Sequence, residues 1–311
     1  MRFVRGMVAK GSLLCCLAAG VAEAQAPSSE RLMEAGGAWV SRVQNSDSNI
    51  STRIQRSLGW ARLKAPISLG EDFALVLGVS YEGQAISYSN FVTRNVGGTL
   101  LTQSNLPTGL HSLDANVGFV WRFAEDWALA ANFTPGIHSD FSNIQYRDVI
   151  WTGNVLFLHP FGDKDPIGGR NRIGFGFAYT DRFGTPLPIP LVRLDWYPSE
   201  DWFVRGTLPF DLDLGYRVSS AFSVGVGGLL HGYIYRLEAT PFTGQVVRYR
   251  EVEIGPFLDL VLTERIHVRV TGGVSTAQRF EFRDESNNNT IISGNFKSAG
   301  FFRGSLYYAL F

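Results

Sequence analysis

The sequence predicts an all-β protein: a transmembrane, antiparallel, up-and-down β-barrel of about 14 strands, with 12 as the alternative, after a cleaved signal peptide. Three observations carry this. Residues 113–123 alternate with a period of two, Leu113, Ala115, Val117, Phe119, Trp121 and Phe123 on one side and Ser112, Asp114, Asn116, Gly118, Val120 and Arg122 on the other. A period of two is a strand. The pattern recurs along the chain, with charges on one face and aromatics near the ends of the other. Short polar turns also alternate with long connections, as in outer-membrane barrels.

The N-terminus sets the compartment. Arg2, Arg5 and Lys10 precede a short apolar stretch, Leu13 to Val21, and Ala22-Glu23-Ala24 is a small-x-small cleavage site. Together these read as a secretory signal over residues 1–24, leaving 25–311 as one barrel domain. Cys15 and Cys16 are the only cysteines and leave with the signal, so the mature chain is expected to hold no disulfide or thiolate site. The small residues that normally precede a lipidated cysteine are missing. No later segment offers 18 continuous apolar residues, so strands rather than helices would cross a bilayer.

Bulk composition agrees. Aromatics make up 13% of the chain, charged residues only 18%, and glycines number 34. Lys plus Arg and Asp plus Glu both total 28, so no net charge argues for nucleic acid.

The turns come next. Gly70-Glu71-Asp72-Phe73, Ala124-Glu125-Asp126-Trp127, Ser199-Glu200-Asp201-Trp202, Ser219-Ser220-Ala221-Phe222 and Thr263-Glu264-Arg265-Ile266 each place an aromatic or branched residue after a tight turn. A ring there suits the membrane interface. Longer polar connections are expected at 86–110, 139–147, 239–246 and 285–290. Between them, Phe73, Leu75, Leu77, Val79 and Tyr81 oppose Gly78, Ser80, Glu82 and Gln84. Ile173, Phe175, Phe177 and Tyr179 oppose Arg172, Gly174, Gly176, Thr180 and Arg182. Phe210, Leu212, Leu214, Tyr216 and Val218 oppose Asp211, Asp213, Gly215 and Arg217. Val252, Ile254, Leu258 and Leu260 oppose Glu251, Glu253, Phe257 and Asp259; Ile266, Val268, Val270 and Val274 oppose His267, Arg269, Thr271 and Ser275. Strands at 202–208 and 210–218 are short against the ~9–11 residues of a tilted spanning strand, hence the alternative of 12. The first strand is expected near Glu34–Val43 and the last near Ser298–Leu310, ending on Phe311.

Several short motifs, Pro135-Gly136-Ile137-His138-Ser139-Asp140-Phe141, Pro188-Ile189-Pro190, Leu194-Asp195-Trp196-Tyr197-Pro198 and Leu208-Pro209-Phe210, resemble an uncharacterised family of bacterial outer-membrane β-barrel proteins of unknown function. The resemblance runs over roughly residues 70–311. It implies barrel and compartment, and no substrate.

Candidate site residues lie on the polar parity. Arg193, Asp195, Arg205, Asp211, Asp213 and Arg217 mix three cations with three anions over consecutive strands, as struts across a narrow lumen or a polar constriction would. His231, Glu253, Asp259 and Arg269 join them as lumen-lining candidates, and Tyr233 and Tyr235 share the parity of His231. His138 and Asp140 share a face and could form a dyad for a membrane-embedded hydrolase, with a nucleophile from another strand. His159, His231 and His267 stand singly, so no metal or other cofactor is expected. Residues 162–170 read as a turn-rich loop rather than a phosphate site.

The expected role is passive rather than enzymatic: a small porin-like channel with loop 86–110 as its gate, or a charge-plugged structural barrel in the outer membrane. Its expected partners are outer-membrane lipid and, through the strand ending at Phe311, the barrel-assembly machinery. The alternatives are the hydrolase and a soluble or surface-binding β protein.

Overall fold

The computed structural model describes residues 31–45, 52–90, 94–96, 99–102, 106–161, 171–180, 182, 187–239, 244–284 and 290–309. The expected signal at 1–24, the expected loop at 162–170 and Phe311 lie outside them. In chain order the strands are β1 Arg31–Gln44, β2 Arg53–Ser68, β3 Phe73–Ser89, β4 Arg94–Val96, β5 Thr99–Leu101, β6 Gly109–Ala124, β7 Trp127–Ser139, β8 Val149–Pro160 and β9 Arg172–Thr180. There follow β10 Leu187–Trp196, β11 Trp202–Leu208, β12 Asp211–Arg217, β13 Phe222–Leu237, β14 Gln245–Val261, β15 Ile266–Asp284, β16 Thr290–Asn295 and β17 Ala299–Ala309.

Antiparallel neighbours run from β14 back through β6, then β3, β2, β1, β17 and β15, and a β14–β15 ladder closes the ring. β4 and β5 form a separate hairpin, and β16 continues the line of β17 along β15. The ring therefore has 14 positions. Both short strands, β11 and β12, belong to it, so the alternative of 12 is not the one realised.

Parity decides which side each residue takes. On β3, Ala74 and Val76 are fully buried while Leu77, Val79 and Tyr81 are exposed. Phe175, Leu212 and Ile254 face outward, and Arg193 and Asp213 are only 5% and 2% exposed. A water-soluble barrel or sandwich would reverse this. A ring of paired strands that is apolar outside is what hydrocarbon requires. The turns at 70–72, 125–126, 198–201, 219–221 and 262–265 all form at one end. Aromatics gather above them on the outer face: Trp127 stacks on His159 with centroids 4.6 Å apart, and Trp202 meets Tyr216 at 5.1 Å.

Three expectations shift. The connection expected at 86–110 is shorter, because β3 runs to Ser89 and β6 starts at Gly109. Phe210 does not share the outward side of Leu212: its amide donates to Thr207 O in a tight turn, which breaks the parity and buries the ring inside. On β15, Ala277 adopts φ +50° and an extra residue bulges between Thr276 and Arg279, opposite Val252 and Arg250. Beyond this bulge the inward positions switch from Ser275 to Gln278, Phe280 and Phe282.

The two halves of the barrel differ in girth. At the turn end all 14 positions form the wall. At the far end β13 pairs in parallel with β7 through Arg236 and Ser139, and Asp140 N donates to Arg236 O at 3.3 Å. This contact closes a narrower ring of nine strands: β13, β14, β15, β16, β1, β2, β3, β6 and β7, with Asn45 and Phe296 bridging β1 to the β16 segment. We call it the neck. β8 lies outside it, where Ile150 packs on Ile234 and Val246. Buried on both faces, β13 therefore loses its alternation from His231 to Leu237.

Candidate functional site

The lumen is filled in layers. The neck holds an apolar and aromatic cluster including Tyr88, Leu110, Tyr233, Tyr235, Leu237, Tyr249, Phe280 and Phe282. Residues 106–107, just before β6, lie against it, with Leu106 buried and the Tyr88 hydroxyl donating to Pro107 O at 3.1 Å. Two loops interlock above: Asp140 Oδ2 accepts from the amides of Glu238 (3.1 Å) and Ala239 (2.9 Å), and Arg147 forks onto Glu238 at 2.8 and 2.7 Å.

Below the neck lies a belt of ion pairs. Arg56 pairs with Glu251 and lies over the Tyr249 ring. The Tyr249 hydroxyl donates to Glu251 at 3.1 Å. Glu253 accepts from Arg303 at 2.9 Å and meets His231 at 3.2 Å, while Tyr233 and His231 hydrogen-bond at 3.0 Å and stack. Nearer the turn end, Arg269 forks onto Asp213 with two 2.7 Å bonds and reaches Asp259 at 3.7 Å. Arg205 lies 3.7 Å from Asp213 and 3.5 Å from Asp259, which also accepts from Tyr307 at 2.7 Å. Arg193 forks onto Asp195 at 3.1 and 2.7 Å, and Arg172 adds a third contact at 3.2 Å.

The predicted residues thus fall into three groups. Asp213, Asp259, Arg205 and Arg269 form one network, Arg193 and Asp195 a second, and His231 and Glu253 a third with Arg303. Two stay apart. Asp211 is buried beside the Thr207 backbone amide and within electrostatic reach of Arg193. Arg217 sits half-buried at the turn end of β12. Arg56, Arg31, Glu34 and Arg303 escaped sequence reasoning as site residues. Their signal was charge on the inward parity, but the partners come from strands far apart in the chain.

A cavity of about 60 Å³ remains beside the belt, lined by Arg31, Glu34, Trp60, Arg62, Asp213, Glu253, Arg269 and Arg303 among others. It is polar and holds room for little beyond water. An apolar cluster occupies the lumen against β3, β6 to β10 and the β11–β12 turn, comprising Ala74, Val76, Val120, Ala128, Ala130, Leu156, Leu158, Ala178, Leu191 and Phe210.

The hydrolase dyad does not form. His138 Nε2 meets Asp114 Oδ1 at 2.7 Å, and Arg182 reaches the same oxygen at 3.2 Å. Asp140 instead anchors the loop, accepting from Ser142 N and Oγ at 3.1 and 2.8 Å and from the two backbone amides across the mouth. Ser139 is fully buried and accepts from Phe141 N. His111 hydrogen-bonds Tyr81, His159 contacts Asp126 O and His267 stacks on Tyr307. No cluster of three or more His, Cys, Asp or Glu able to hold a metal occurs among the described residues.

No curated protein matches the chain. Among solved structures, an outer membrane channel from Pseudomonas putida F1 is similar at 12% identity, with 92% of this chain and 98% of that one covered and a TM-score of 0.45. A Pseudomonas aeruginosa FadL homologue shares 10% identity over 97% of this chain and 98% of that one, with a TM-score of 0.37. The NanC porin shares 12% over 89% and 100%, with a TM-score of 0.34. A family model described as a domain of unknown function, DUF6268, matches residues 83–310, and the chain belongs to that family.

Proposed function

We propose that this chain is an outer-membrane barrel of passive, non-catalytic role whose axial lumen is plugged at rest. The single observation supporting this reading most strongly is the neck: nine strands closed by β13 on β7 around buried Tyr235, Leu237 and Phe282. An aqueous pore needs a continuous polar path. Here the path meets packed rings at one end and interlocking ion pairs below. Each of those charges would be costly in a low-dielectric interior without its partner, so the belt stiffens the wall rather than selecting an ion.

In this reading residues 1–24 direct export and the strand ending at Phe311 engages the barrel-assembly machinery, with outer-membrane lipid as the partner of the outer wall. The test is conductance of the purified barrel in a planar bilayer. The unmodified protein is expected to give no sustained open steps, and the double variant Tyr235→Ala/Phe282→Ala is expected to give them. Steady ohmic conductance from the unmodified protein would overturn the reading in favour of an open porin-like pore.

A further inference from the structure

The wall has a low point. β10 pairs with β9 from Leu187 to Asp195, but with β11 only from Val192 to Trp196. On the other side β13 pairs with β14 from Phe222 to Leu237, but with β12 only from Ser223 to Leu229. Above the Pro209-Phe210 turn, the edges of β10 and β13 have lost the strands that separate them lower down. They do not rejoin: β13 crosses to β7, and no β10–β13 ladder exists among the described residues.

The β10 edge is suited to being left open. Pro188 and Pro190 face outward and are exposed, on the parity of Val192 and Leu194. Amides alternate direction along an antiparallel strand. On β10 the even positions address β11, so the prolines stand where β11 is missing and remove the donors that would go unpaired. Proline is the residue found on such edges, and it discourages pairing with a foreign strand.

What lies behind the gap is apolar. Ile189 and Leu191 point inward from β10, Phe210 caps the turn and Leu230 faces them from β13, all in one cluster with Ala178 and Leu156. Leu191 and Phe210 are 3% and 1% exposed, whereas Ile189 and Leu230 are only partly buried and form the lips. In a lumen otherwise crossed by ion pairs, an uncharged floor opening toward lipid has a specific use. We propose that the gap above the β11–β12 turn is a side entrance through which a neutral, apolar small molecule dissolved in the bilayer reaches the lumen. The class follows from the source and the lining: hydrocarbon supplies only uncharged apolar solutes, and none of these six side chains offers a charge or hydrogen bond. Phe210, held at the turn, is the side chain that must move to admit it.

The inference goes beyond the plugged-barrel reading and needs only its lipid-facing wall, because entry from the side bypasses the neck. The test is photolabelling of the full-length protein in lipid nanodiscs with a neutral aryl diazirine, adducts being mapped by mass spectrometry. Adducts are expected on inward Leu191 and Phe210 and on Leu230 at the lip, as well as on outward Val192 and Leu212. Excess unlabelled adamantane should lower the inward adducts at least fivefold and leave the outward ones unchanged, a readout that needs no variant. Leu230→Arg should lower adducts on Leu191 and Phe210 to a similar extent while outward labelling persists, which shows that the barrel is intact. Labelling confined to outward residues, or inward labelling that neither adamantane nor Leu230→Arg reduces, would overturn the side entrance. Conductance does not enter this test, so a leaky neck and a sealed side wall are told apart.

Discussion

The neck and the wider skirt beneath it fill similar space by opposite chemistry. In the neck, Tyr235, Leu237, Val247 and Phe282 pack with at most 1% exposure. In the skirt, Asp213, Asp259, Arg205 and Arg269 fill the lumen with paired charges. An apolar interior tolerates any shape-matched apolar side chain but is penalised by voids. A charged interior tolerates loss of a whole pair but is penalised by loss of half of one. The difference also explains why one barrel wall can carry both. Girth falls from 14 strands to nine only where β13 crosses to β7, and there rings from facing strands meet directly. Lower down the walls stand farther apart, and only long side chains such as Arg269 and Arg205 span the distance.

Breaking half a pair in the skirt should have the largest effect. Asp213→Ala leaves Arg269 without its forked partner and should cost about 3–5 kcal/mol in urea unfolding from lipid vesicles. The double variant Asp213→Leu/Arg269→Leu should cost less than the single one. Equal or greater loss would mean the pair is not carrying its own desolvation. In the neck, Phe282→Ala should cost about 3–5 kcal/mol by the same measurement, and Phe282→Leu clearly less. There a charge-for-charge exchange has no counterpart.

The outer wall gives a smaller, graded effect. Leu214→Arg, exposed at 49% in the short strand β12, should cost about 2–4 kcal/mol if it lies near the bilayer midplane. Val218→Arg, just past the strand end at the turn, should cost about 0–1 kcal/mol. A flat response along β12 would contradict a lipid-facing wall. At the mouth, Asp140→Ala removes acceptors from Glu238 N and Ala239 N and should cost about 1–3 kcal/mol. Its signature is faster proteolysis near 140–148 with the rest of the barrel resistant. The smallest effect belongs to Arg265→Ala on the exposed turn, where loss of the 2.9 Å bond to the Tyr308 hydroxyl should leave the unfolding midpoint unchanged.

Much of the skirt was legible in the chain. Alternation around Phe119, Phe175, Leu212 and Ile254 assigned their faces, because a period of two is a local property. The tight turns before Trp127, Trp202 and Phe222 set the strand count for the same reason. Pairings within the belt were legible only as a mixture of charges: parity places Asp213 and Arg269 on the inner face, but 56 residues separate them. The neck was not legible at all. His231 to Leu237 reads as an ordinary alternating strand, and burial of both its faces arises from a parallel contact with a strand about a hundred residues away. Phe210 and the bulge at Ala277 misled parity because each breaks the period at a single residue. His138 and Asp140 were expected to share a face, but β7 ends at Ser139, and Asp114 on the neighbouring strand takes the histidine.

The neck rests on one junction, and cross-linking tests it directly. Residues 139 and 236 are paired Cα partners, and the chain's only cysteines are Cys15 and Cys16, near the N-terminus. Ser139→Cys/Arg236→Cys, oxidised in outer-membrane preparations, should give a disulfide-linked species of altered gel mobility in most molecules. The wall-neighbour control His111→Cys/Ser139→Cys should cross-link comparably. Cross-linking of the control with none at 139/236 would mean that β13 does not reach β7, and that the lumen is as wide above as below.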